Sequence, residues 1–128
     1  MRIAGIMMAM MSVAACQDEA LELPSGMTAE LAETLVEPQP DGESWMILRV
    51  VAPELAGRQV AAETMAADTD LLCRTWGLEA AAEADALPDQ IVVQMMSERV
   101  ERGQPARGVT QVFAGYRLRD GACIWEDF

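Results

Sequence analysis

Asp120-Gly121 is the dipeptide that most constrains this chain. It stands between residues 109–119, VTQVFAGYRLR, and residues 122–125, ACIW. Residues of this type accept the left-handed backbone that a two-residue hairpin turn demands. Such a turn sets Leu118 opposite Cys123 and Tyr116 opposite Trp125, with all four side chains on one face. Upstream, residues 60–76 read VAAETMAADTDLLCRTW. Ala62, Met65, Ala66, Thr69, Leu72, Cys73 and Trp76 recur there at helical spacing and form an apolar stripe. A bond between Cys73 and Cys123 would aim the hairpin face at the end of that helix, near Trp76. Stripe, register and cysteine positions therefore agree.

Whether the cysteines pair depends on where the chain resides. Residues 1–15 read MRIAGIMMAMMSVAA: one cation, Arg2, then an uncharged apolar run ending in small residues. This is the layout of a secretory signal, and it is too short for a permanent membrane span. Val13-Ala14-Ala15-Cys16 resembles the lipobox of bacterial lipoproteins, in which the cysteine is acylated and becomes the mature N-terminus. Ordinary signal cleavage at the same bond, giving a soluble periplasmic protein, is the alternative. Gln17 differs from the Asp that retains lipoproteins at the inner membrane, so the resemblance implies the outer one. With Cys16 as the lipid site, Cys73 and Cys123 remain as an even pair in an oxidising compartment, and a disulfide is expected. A redox or metal pair is the other reading, without CxxC spacing or histidine to support it.

The rest of the chain reads as follows. Residues 1–15 are the signal, 16–27 an acidic tether, and 28–128 a single α+β domain. Thr28 caps a short helix over 29–36, with Leu31 and Leu35 on one face. Residues 44–52, SWMILRVVA, are apolar on both faces and predict a central strand. Met46, Leu48, Val50 and Ala52 face one way; Trp45, Ile47, Arg49 and Val51 face the other. Gly77 ends the long helix, on which Glu63, Asp68 and Asp70 are solvated. Residues 90–96 form a second strand, 101–108 a loop, and 109–119 and 122–125 the hairpin. The expected fold is a four-stranded, mainly antiparallel sheet with one amphipathic helix on one face.

Composition limits the chemistry. The chain has no His and no Lys, and its net charge is −12. Without imidazole there is no Ser-His-Asp or Cys-His pair. Without lysine there is no Schiff-base amine or phosphate-loop lysine. The acidic excess argues against nucleic acid and anionic headgroups. Met46, Met65, Met95 and Met96 read as core filler. No cofactor or metal and no catalytic residue is expected. The arginines are the only cations of the exported part. Arg49 sits in an apolar strand, Arg99, Arg102 and Arg107 cluster around one loop, and Arg117 lies in the hairpin. Each reads either as partner of a nearby acid or as a contact for something anionic.

Leu23-Pro24-Ser25-Gly26, Val51-Ala52-Pro53, Leu72-Cys73, Leu87-Pro88, Gln90-Ile91, Thr110-Gln111, Tyr116-Arg117 and the ending DGACIWEDF (residues 120–128) form a pattern. It resembles an uncharacterised bacterial family of small exported proteins. The resemblance implies export but no assigned activity. The label acetolactate synthase carried by some members does not suit this chain. A thiamine-diphosphate enzyme needs a far larger protein, and nothing here resembles its cofactor motif.

Three functions are compatible with these residues. The first is a non-enzymatic envelope module that binds a protein or envelope component, attached to the membrane only through a lipid. The second is a periplasmic domain holding a small anionic ligand on an arginine. The third is a carboxylate-dependent hydrolase, which would need two acids about 5–9 Å apart across a cleft. The hairpin, with Arg117, Trp125 and Glu126, reads either as core or as a recognition surface.

Overall fold

A computed structural model describes residues 19–126. The segments richest in large apolar side chains become the middle of a six-stranded mixed sheet, which curls into a half-barrel. Its strands are β1 (Ala20–Glu22), β2 (Thr28–Pro38), β3 (Ser44–Val51), β4 (Gln90–Met96), β5 (Gln111–Arg119) and β6 (Ala122–Glu126). They lie in sequence order across the sheet. Neighbours are antiparallel except β3 and β4, which run parallel. A parallel pair needs a long crossover, and the helical segment between the two strands supplies it.

The expectation of four strands is corrected to six. The segment foreseen as a helix over 29–36 is β2. Its Leu31 and Leu35, four apart, suit a helix face, and Ala, Glu and Leu are good helix formers. Eight pairings with β3 override that local preference. A register shift between Leu31 and Glu33 hides the strand pattern further. It sets Leu31 opposite Val50 but Leu35 opposite Ile47, on opposite faces. Part of the stretch read as a tether also joins the sheet as β1, and Leu23 and Met27 lie in the core.

The helical layer is longer than expected. α1 (Ala62–Leu72) passes through a wider π-type turn, Cys73–Gly77, into α2 (Leu78–Glu83), a continuous run of 22 residues. Gly77 does not end it; its backbone is helical, with φ −65°. A side chain there would meet two carbons of Ile91 at 3.3 Å, so glycine serves close approach of helix to β4. Thr69, Leu72, Cys73 and Trp76 of the foreseen stripe are buried against Met46, Leu48, Val50, Ile91, Val93 and Tyr116.

Two acids foreseen as solvated are engaged within the fold, Asp68 buried and Asp70 half-buried. Asp68 is buried, and its Oδ1 accepts the Ser25 N–H at 2.9 Å. Asp70 accepts the Tyr116 hydroxyl at 2.6 Å. Cys73 and Cys123 are joined by a disulfide, with Cα atoms 6.4 Å apart. The hairpin turns at Asp120 and Gly121, both with positive φ, and pairs Leu118 with Cys123 and Tyr116 with Trp125, as the sequence predicts.

Candidate functional site

Arg49 and two of the loop arginines, Arg99 and Arg102, meet on the sheet face turned away from the helix. Arg49 is 2% exposed, on the middle of β3. One terminal nitrogen donates to Glu33 of β2 and the other to the Val100 carbonyl. Its Nε donates to Gln94 Oε1 at 3.2 Å. Arg102 reaches back from the loop and holds both carboxylate oxygens of Glu37 at 2.9 Å. It also donates to Gln94 Oε1 at 3.3 Å. Gln94 passes the network on, its amide donating to Gln111 Oε1 at 2.9 Å. Arg99 lies 3.4 Å from the second oxygen of Glu33.

Arg49, Arg99 and Arg102 therefore do converge, along a groove of about 590 Å³. They converge on the chain's own acceptors. The bidentate contact with Arg102 holds the Glu37 carboxyl below its ordinary 4.5, against the opposing effect of burial. The arrangement ties the loop between β4 and β5 across β3 to β2, which keeps Ile47 and Met96 dry beneath it. A buried guanidinium is tolerable because each of its three nitrogens has a partner.

Arg117 stands apart from this cluster. It donates to Glu126 at 2.9 Å and to Glu43 at 2.9 Å, tying β6 and the start of β3 to β5. These bonds lower Glu43 and raise Arg117 from their ordinary values. Arg107 is exposed in the loop and joins neither group. Tyr116 is held between Thr69, at 2.8 Å, and Asp70. Burial, reinforced by Asp70, pushes its hydroxyl well above the ordinary 10.0. Cys16, the lipid site expected from the sequence, lies outside the described residues.

The second feature is the outer edge of the sheet. β6 ends it, beside β5 alone among the described strands. In a two-residue hairpin the residues flanking the turn, Arg119 and Ala122, form a bonded pair. Alternation then gives β5 the amides of Ala122, Ile124 and Glu126 and turns those of Cys123 and Trp125 outward. Ile124 is 46% exposed on one face and Trp125 56% on the other, with Phe113 exposed on β5. An apolar hollow of about 260 Å³ lies near the turn, between Leu78, Leu87 and Leu118.

Sequence reasoning missed Glu33, Glu37, Gln94 and Gln111 as partners of the arginines. The available signal was Gln94 in an otherwise apolar strand, at the same parity as Gln90. Glu33 and Glu37 were obscured once 29–36 was read as helix.

No curated protein and no solved structure matches the chain. A family model does, over residues 6–128, and it carries the description of a family of unknown function. The chain belongs to this family, DUF6497.

Proposed function

We propose that this chain is a non-enzymatic binding module of the cell envelope, whose β6 edge takes up an extended segment of a partner protein. The observation that carries the reading is the edge itself. The register of the hairpin turns the amides of Cys123 and Trp125 outward, beside the exposed side chains of Ile124 and Trp125. Exposed edges are templates for added strands, and alternate side chains then give specificity. A net charge of −12 without a single lysine favours a partner segment that is apolar and flanked by cations.

Export rests on the sequence of residues 1–16. A lipid on Cys16 would hold the domain at a membrane surface, with the outer membrane the expected one. Among the described residues no helix is long and apolar enough to cross a membrane. Binding of a small anion draws no support from Arg49, Arg99, Arg102 or Arg117, whose donors meet Glu, Gln and backbone oxygens of the chain itself.

A photo-crosslinking residue at position 124, introduced in living cells, tests the reading. One defined envelope protein is expected as the adduct. The same probe at Val36, exposed on β2 far across the sheet from β6, should not capture it. Trp125→Pro removes an outward N–H and leaves the bonds to β5, and should reduce the adduct at least tenfold at unchanged melting temperature. No adduct, an adduct with a second copy of the chain, or one indifferent to Trp125→Pro at unchanged melting temperature would overturn the proposal.

A further inference from the structure

β6 is bound lightly to the rest of the fold. Ala122, Ile124 and Trp125 are exposed, and Cys123 and Glu126 are half-buried. Its backbone pairs with β5, and Glu126 meets Arg117, also on β5. Among the described residues, its only bond to the helical layer is the disulfide from Cys123 to Cys73. β5 depends far less on β6, because its residues 111–117 pair with β4 on the other side. A strand with few buried apolar contacts and exposed backbone bonds opens locally at low free energy. The disulfide opposes that opening, since it ties β6 to a cysteine fully buried in the π-type turn.

The two cysteines differ in access. Cys73 is fully buried. Cys123 is half-buried on the edge strand and supplies one of its two outward amides. Exchange with an incoming thiolate therefore begins at the Cys123 sulfur.

We propose that the docking edge is a redox-sensitive strand, ordered while the Cys73–Cys123 bond is closed and released when a dithiol reductant opens it. The inference rests on the reading of β6 as the docking strand. A thiolate of the reductant bonds the Cys123 sulfur as the Cys73–Cys123 bond breaks. The electron pair leaves on the Cys73 sulfur, which takes up a proton. The second thiol of the reductant then displaces the Cys123 sulfur, which is protonated in turn. Two electrons and two protons enter the chain, and the reductant ends as a disulfide. β6 is then held by β5 alone, and the outward amides of Cys123 and Trp125 lose their alignment.

Residue-resolved amide exchange of the intact chain, with and without dithiothreitol, tests the release. In the reduced chain Ile124 and Glu126 should exchange within tenfold of unstructured amides. Ile91 and Val93 of β4 should stay protected at least a hundredfold. Cys73→Ala, which leaves the sequence of β6 unaltered, should show the same pattern without reductant. Lasting protection of Ile124 and Glu126, or its loss together with that of Ile91 and Val93, would overturn the proposal. The photo-crosslink at position 124 reads docking separately, and Cys73→Ala should lower its yield at least tenfold. An adduct undiminished in Cys73→Ala defeats the switch and leaves the docking strand standing. No adduct from either chain defeats the docking strand, and the switch with it.

Discussion

Arg49 shows how far a single residue can be read. An arginine amid MILRVV asks for a partner, and the sequence offered an acid or an external anion. The structure supplies Glu33, Gln94 and a carbonyl, and buries the guanidinium. The residue was legible; its partners were not, because they sit on neighbouring strands whose register no local pattern states. Arg49→Ala would strip Glu33 and Gln94 of their shared donor. A loss of about 3 kcal/mol or more is expected in denaturant unfolding, as for other broken buried pairs. Arg49→Met combined with Glu33→Leu should recover most of it, since no buried charge is then left alone. Tyr116 makes a second case. Tyr116→Phe removes a hydroxyl held by Thr69 and Asp70 and should cost about 1–2 kcal/mol. Because burial raises its pKa, ultraviolet titration should show this tyrosine ionising only well above pH 10.

Element boundaries were less legible, each for a physical reason. β2 reads as a helix because its residues favour helices and its bulge breaks the two-residue period. The hairpin reads correctly because turn chemistry is local. Gly77 reads as a helix end, yet the same residue also permits close packing. Gly77→Ala should therefore lack the usual gain of nearly 1 kcal/mol from replacing a helical glycine. Its new methyl meets Cδ1 and Cγ2 of Ile91 at 3.3 Å, and Ile91→Val, which removes only Cδ1, should relieve that contact in part. The loop between β4 and β5 has its own pH dependence. Glu37 has a folded pKa below its ordinary 4.5, so its pairing with Arg102 adds stability above that pH. That stability is lost as pH falls through the lower folded value. Limited proteolysis near Arg107 should accelerate below about pH 4.5, and Glu37→Gln should show the faster cleavage already at neutral pH.

At the scale of the molecule, the disulfide and the open edge follow from one hairpin. The Cys73–Cys123 bond closes 50 residues, and such a loop is worth ~4 kcal/mol in the chain-entropy model. Reduction, or Cys123→Ser, should lower the melting temperature sharply; no change would show that the cross-link is not stabilising. The bond pins β6 to the helix through Cys123 and leaves the outer backbone edge of that strand uncovered. The general architecture of helix against sheet was legible, because amphipathic stripe, turn and cysteines agree. Strand number was not, since β1 and β2 depend on long-range pairing. Nor was the convergence of Arg49, Arg99 and Arg102 on Glu33, Glu37 and Gln94, which arises only when distant strands meet. Residue-resolved amide exchange of the isolated protein tests the open edge most directly. Alternation along β6 is expected, with Ile124 and Glu126 protected and Cys123 and Trp125 exchanging at least a hundredfold faster. Uniform protection through 122–126 would mean that the edge is already covered, and would contradict its role as a docking strand.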